Sequence, residues 1–311
     1  MDRTYETMPL RQRSFFFIFK YYTIVEDGLT PASWQAYDTR EPASKSPDHI
    51  NIAECSSVLA LSLGGDPTKT VQKQVRRKVK GGKVFDTFAP WHMVNIQFFP
   101  DEEHSVRSSD FRQKTPCNGP HAFLNSLSVE YRDAAKRYAK LNQHITKLIT
   151  PLNQFMFDGR LRDKLLFEDK DFTYSRRYFW AYNTLGVIND GIKSMRSAYL
   201  DTFNKDFWAG KHKTLWPHPA PDSAEGHEYV SRLEAARQDL EAAVRDLEDV
   251  YDRNARTRDE IRSLREQLFS GSSVKESRRA IEQGHNIKIL TSVSMIFLPL
   301  TFVTASLLPL H

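Results

Sequence analysis

The sequence predicts an α+β fold: a helix-rich cytoplasmic α/β domain, then a long heptad-patterned stalk helix, then one C-terminal transmembrane helix. Three observations predict it. Short aromatic and β-branched runs are confined to the first hundred residues. A stretch free of Pro and Gly with apolar residues every seven positions spans Tyr229 to Phe269. An uncharged run of 22 residues occupies Ile289 to Leu310.

Ser14 to Val25 (SFFFIFKYYTIV) contains Lys20 and is too short to cross a bilayer as a helix, so it reads as a strand. Ser56 to Leu63 and Met93 to Phe99 read the same way, and the Pro- and Ser-rich stretch from Glu41 to Asp48 reads as a loop. Helical spacing sets in at His121 and runs to Thr150, where Pro151 cannot continue the hydrogen-bond ladder. A second helical block runs from Tyr174 to Trp208. Its aromatic residues, Tyr178, Trp180 and Phe203 among them, fit a helix buried against a sheet better than a stacking platform for bases.

Trp216 to His227 (WPHPAPDSAEGH) carries three prolines and a glycine and marks a break in composition. The predicted organisation is a cytoplasmic domain over 1–216, a linker over 217–227, a stalk over 228–288 and a membrane helix over 289–310. Within the stalk, Leu233, Leu240, Leu247, Asn254, Ile261 and Leu268 are seven apart, and Ala236, Ala243, Val250, Thr257 and Leu264 interleave with them. At 1.5 Å per residue such a helix is about 60 Å long. Self-association through this seam is favoured over packing on the chain's own body, because the period holds at seven. Asn254 and Thr257 are polar seam positions of the kind that fix register. Phe269 to Ser273 (FSGSS) interrupts the pattern. Lys275, Arg278, Arg279 and Lys288 then precede the uncharged run, which at about 33 Å is long enough for a hydrocarbon core of roughly 30 Å. Pro299 is tolerated within a membrane span, and the upstream cations place the N-terminal body on the cytoplasmic or matrix side.

Composition limits the alternatives. A mean hydropathy of −0.55 over 311 residues excludes a polytopic membrane protein. A net charge of +5 and a pI near 9.0 suit an anionic surface without requiring one. Cys55 and Cys117 form no CxxC pair or disulfide framework, which points to a reducing compartment. Met1 to Arg13 lacks the apolar core of a cleaved signal.

The stretches that superficially suggest catalytic or ligand-binding chemistry each have a plainer reading. Gly64 to Thr70 (GGDPTKT) lacks the spacing of a phosphate loop, and Pro67 interrupts its N–H donors. Lys69 to Lys83 holds seven Lys or Arg, read as a solvated basic strand or loop rather than a nucleic-acid contact. The histidines show no HxxxH or HExxH spacing, and His212 and His218 lack a carboxylate partner at ligand spacing. Glu168, Asp169 and Asp171 have the oxygen chemistry of a Mg²⁺ site, but capping of the helix that starts near Tyr174 is the favoured reading. Asp246, Glu248, Asp249 and Asp252 read as a solvated helix face. No nucleophile, acid–base pair or cofactor fingerprint emerges, so the chain is not read as an enzyme.

The run from Asn286 to Thr304 resembles the first transmembrane helix of CorA-type magnesium transporters, through Lys288, Leu290, Thr291, Phe297, Pro299, Leu300, Thr301 and Phe302. Phe123 to Arg137, Phe155 to Tyr182 and Gln267 to Arg279 are similar to the fungal CorA-like branch. The resemblance implies a homopentamer with this helix lining a pore, and divalent cations, Mg²⁺ above all, as transported or regulatory ions without a resident cofactor. Pore-facing positions by resemblance are Gly284, Ile287, Leu290, Leu298 and Thr301; regulatory metal ligands remain unassigned. The implied partners are the lipid bilayer, further copies of the chain and divalent cations, with no nucleic acid. At the position of the family's Gly-Met-Asn signature stand Leu308, Pro309 and Leu310, so the expectation is a single-pass, truncated or degenerate subunit. The competing expectation is a tail-anchored coiled-coil interaction protein without transport.

Overall fold

The computed structural model describes residues 14–25, 49–75, 78–98, 115–150, 156–213, 215–220 and 222–307; the side chains of 73–75, 78–81, 162–164, 299–301 and 303–307 are outside the description. The chain divides into two compact units, Met1–Thr150 with Phe179–Asp259, and Pro151–Tyr178 with Glu260–His311.

In the first unit, β1 (Ser14–Ile24), β2 (Ile52–Leu63) and β3 (Lys69–Val75) are followed by β4 (Lys78–Val84) and β5 (Trp91–Phe98). The first, second and fifth form an antiparallel sheet in the order β1-β2-β5, while β3 and β4 form a separate ribbon. Alternation fixes the register: Phe17 lies opposite Leu59 and Tyr21 opposite Cys55, and these side chains all point to the buried face. The strands predicted at 14–25 and 56–63 are present and the one predicted at 93–99 is present to Phe98, Phe99 lying outside the described residues; the described part of the basic 69–83 run belongs to the β3–β4 ribbon. The predicted loop at Glu41 to Asp48 lies outside the described residues.

Helix α1 (Gly119–Ile149) covers the buried face of the sheet. It begins where the sequence supplies both start signals: Asn118 Oδ1 accepts the His121 amide at 3.0 Å, and Pro120 occupies the first turn. Gly119 sits where a Cβ would be 2.9 Å from Trp91, so only glycine admits the helix so close to β5. Phe15, Phe123, Phe207 and Trp216 meet edge to face and close one end of the core. Trp216 is held at φ 44°, so the predicted Trp-Pro break also delivers a core side chain.

The helical block expected from Tyr174 to Trp208 is two elements, α3 (Thr173–Thr202) and α4 (Lys205–Trp208), separated where Asn204 Oδ1 caps the Phe207 amide. Helix α5 (Ala224–Leu307) begins inside the Pro-rich stretch, with Ser223 Oγ accepting the Gly226 amide at 3.0 Å.

Two expectations about α5 are corrected. The seam that predicted self-association is buried within the chain: Leu233, Leu240, Leu247 and Asn254 are each at most 3% exposed. Arg132 of α1 pairs with Asp239, and Arg196 of α3 pairs with Glu248, which sets α1 and α3 along this seam. The physical reason is that left-handed packing of three long helices has the same 3.5-residue period whether or not the partner belongs to another chain. The second correction concerns FSGSS, which does not interrupt the helix. In the second unit, which also contains α2 (Gly159–Leu165), a Cβ on Gly271 would strike the Leu166 carbonyl oxygen. The small residue admits a crossing segment rather than ending the helix.

Candidate functional site

The candidate site is the C-terminal part of α5 in the second unit. Helical geometry turns about 100° per residue, which places Gly284, Ile287, Leu290, Leu298 and Thr301 within an arc of about 120°. The positions carried by resemblance therefore share one face of one helix. Ile287, Leu290 and Leu298 are exposed, and a Cβ on Gly284 would meet nothing within 4 Å. The Thr301 backbone is helical and its side chain lies outside the described ones. Thr291 Oγ1 donates to the Ile287 carbonyl at 2.8 Å, so this polar side chain is satisfied within its own helix.

The apolar side chains here are not confined to one stripe. Ile281, Ile287, Ile289, Leu290, Val293, Met295, Ile296, Phe297, Leu298 and Phe302 are all exposed. Projected down the axis they leave no gap wider than about 60°. Among the described residues no helix is long and apolar enough to cross a membrane. Described side chains cover the uncharged run only from Ile289 to Leu298 and at Phe302, and Leu308 to Leu310 lie outside the description.

The acidic knot does what capping predicts. Asp169 Oδ1 accepts the Thr173 amide at 2.9 Å and the Asp171 amide at 3.2 Å. Glu168 accepts the Tyr174 and Ser175 amides at 3.1 and 2.9 Å. These bonds satisfy the first turn of α3. The hydrogen bond from the Thr173 amide is the main reason the Asp169 carboxyl is held below its ordinary pKa. Among the described residues no group of three or more His, Cys, Asp or Glu could hold a metal ion. His212 Nδ1 accepts the Leu215 amide, and the His218 ring packs against Tyr229. At Gly64 to Thr70, Gly65 turns at φ 74° and Thr68 Oγ1 donates to the Val84 carbonyl, which ties the turn to the β3–β4 ribbon.

Two buried polar constellations lie in the first unit, and of the residues that form them only Asn254 stands out in the sequence. Tyr21 donates to Asp133 Oδ2 at 2.7 Å, Arg137 Nε donates to the same oxygen at 2.8 Å, and Arg137 Nη1 reaches Thr23 Oγ1 at 3.1 Å. Burial first, and the Asp133 carboxylate second, push the Tyr21 phenol well above its ordinary pKa. Glu130, one turn away and also buried, accepts from Asn95 at 2.8 Å and from Gln97 of β5. The available signal is the spacing of Glu130, Asp133 and Arg137, which puts charges on the same face as Leu127, Ala134 and Leu141. The second constellation joins three helices: Asn142 Nδ2 donates to Asn254 Oδ1 at 2.8 Å, and Asn254 Nδ2 donates to Asn189 Oδ1 at 2.9 Å. Asn254 thus fixes register, as its seam position predicts, but within one chain.

Residues 227–307 match the family model described as CorA-like Mg²⁺ transporter protein. No curated protein matches the chain. The family match begins at the start of α5, covers the heptad seam and extends through all five positions singled out from the sequence. The likeness to that family covers residues 227–307, about a quarter of the chain.

Proposed function

We propose that this chain is a subunit of a CorA-like transporter that passes hydrated Mg²⁺ across a membrane through a pore lined by the C-terminal part of α5. The observation that carries the proposal is the distribution of exposed apolar side chains around the entire helix from Ile281 to Phe302. A helix resting on a soluble core has one apolar stripe, and a helix with apolar residues on every side needs burial all round. Lipid on some faces and copies of the same helix on the others supply that burial. The family match over 227–307 supports the same reading.

In this arrangement the uncharged run from Ile289 to Leu310 spans the bilayer, with the α/β body on the cytoplasmic or matrix side. Gly284, Ile287, Leu290, Leu298 and Thr301 face the axis of a homo-oligomer, a pentamer by resemblance to the family. Rings of Ile287 and Leu290 close the path by dewetting, because a narrow apolar constriction holds no continuous water column. Mg²⁺ is the cargo, and no catalytic step is part of the proposal.

The test is reconstitution of the chain in liposomes loaded with a Mg²⁺-sensitive dye. The expected result is Mg²⁺ entry down its gradient, increased when Leu290→Asn wets the constriction. Protease protection of the C-terminal helix without Mg²⁺ entry in either form overturns transport by this chain and leaves a membrane-anchored helical protein.

A further inference from the structure

We infer that Arg278, Arg279 and Lys288 form a docking face for anionic phospholipid headgroups, held at the edge of the bilayer by α5. This rests on the membrane placement of the preceding subsection and deepens it by naming the lipid. The three side chains are exposed on an unbroken helix, and none pairs with a carboxylate among the described residues. Lys275 stands apart, its ammonium 5.1 Å from the centre of the Phe167 ring. Upstream on the same helix some cations are paired, as in Arg237 with Glu241 at 2.8 Å and Arg232 with Glu228 at 2.7 Å, while Arg245, Arg256 and Arg265 are exposed without a carboxylate partner among the described residues. What sets Arg278, Arg279 and Lys288 apart is their place, where the charged part of the helix meets its uncharged run. Glu276 and Glu282 are the opposing charges on this stretch, which leaves an excess of positive charge.

Height above the bilayer decides how much each residue contributes. For a helix along the membrane normal, Lys288 lies at the boundary of the hydrocarbon core, within a headgroup layer about 6 Å deep. Arg279 and Arg278 lie about 13–15 Å higher, roughly one Debye length beyond the headgroups at physiological salt. A cation at the surface favours anionic lipid by about fivefold. Attenuation reduces this to about twofold for each arginine, so the three together approach twentyfold. Glu282, only about 9 Å above Lys288, offsets about threefold to fourfold of that. The net preference for anionic over zwitterionic lipid is about fivefold.

The full chain is reconstituted in phosphatidylcholine vesicles with trace spin-labelled phosphatidylserine or phosphatidylcholine, and the motionally restricted fraction of each label is compared. The expected ratio is about five, falling to one or below in R278Q/R279Q/K288Q, rising about threefold in E282Q, and collapsing in 1 M salt. All these positions are exposed, and circular dichroism confirms that the variants keep their helix. Absence of restricted lipid with either label refutes the membrane reading itself. Restricted lipid at a ratio of one, unmoved by both variants, refutes the headgroup assignment alone. That same ratio with duplex DNA bound through the same residues assigns the face to nucleic acid and overturns the lipid proposal.

Discussion

Replacing Asn254 with leucine separates an intrachain seam from a self-associating one. Asn254 is fully buried and joins two neighbours, accepting from Asn142 at 2.8 Å and donating to Asn189 at 2.9 Å. Leucine has a similar volume but no polar atoms, so Asn254→Leu leaves the Asn189 carbonyl oxygen without this donor. The Asn142 amide retains only Thr257 Oγ1 at 3.4 Å. A buried polar group stripped of its partner costs about 1–3 kcal/mol. With two groups stripped and the added apolar burial returning about 1 kcal/mol, the net loss is about 1–5 kcal/mol. That lowers the folded-to-unfolded ratio roughly 5- to 5,000-fold. Native-state hydrogen exchange at the α1 amides around Asn142 reads the opening of the first unit without assuming that the whole chain unfolds together. The triple variant N142L/N189L/N254L, which removes every member of the chain of amides, restores most of the loss. If Asn254→Leu leaves exchange unchanged and instead alters the oligomer number by light scattering in detergent, the intrachain assignment of the seam is wrong.

Three further outcomes follow from buried contacts and one capped helix. Gly191→Ala puts a Cβ 2.8 Å from the Tyr138 hydroxyl, which is buried with no hydrogen-bond partner among the described residues. Overpacking there costs about 1–3 kcal/mol, measured as a shift in urea midpoint, and Tyr138→Phe in the same chain relieves most of it. Asp133→Ala leaves the Arg137 guanidinium, 3% exposed, without its carboxylate and destabilises the first unit by about 3–5 kcal/mol, whereas D133L/R137M is close to neutral. Because the Asp169 pKa is lowered in the folded state, its contribution is present above the unfolded value near 4 and is lost as pH falls through the lower folded value. The Thr173 amide, bonded to Asp169 at 2.9 Å, therefore loses protection against exchange below about pH 4. In Asp169→Asn that pH dependence disappears.

Much of the framework was legible in the chain. Period-two burial in Phe15, Phe17, Phe19 and Tyr21 marks β1 with its buried face, and Asn118 with Pro120 marks the start of α1. The capping role of Glu168 and Asp169 follows from two acids just before a helical run. What could not be read is which charges go inside. Asp133 and Arg137 look like an ordinary exposed pair four residues apart, and only the arrival of Tyr21 and Thr23 from a strand over a hundred residues away makes the interior tolerate them. Gly271 was similarly ambiguous, since a glycine flanked by serines signals a break in isolation and a close crossing once Leu166 is in place.

The heptad illustrates a more general limit, and also what lies past it. A repeat of seven reports that a helix has one continuous partner face; it carries no information on whether that partner is covalently connected. Arg132 with Asp239 and Asn142 with Asn254 run in the same direction along α1 and α5, while Arg196 with Glu248 and Asn189 with Asn254 run in opposite directions along α3 and α5. One parallel and one antiparallel neighbour, both from the same chain, bury the seam as far as Thr257. From Ile281 onward the pattern changes in kind, because apolar residues occupy every direction around the axis. One helix thus carries two burial instructions, one-sided upstream and all-sided downstream. The first is met within the chain, and the second calls for an apolar surrounding such as lipid and like helices provide. The sharp change from one to the other, with Arg278, Arg279 and Lys288 close by, is the feature on which the transport and lipid proposals both depend.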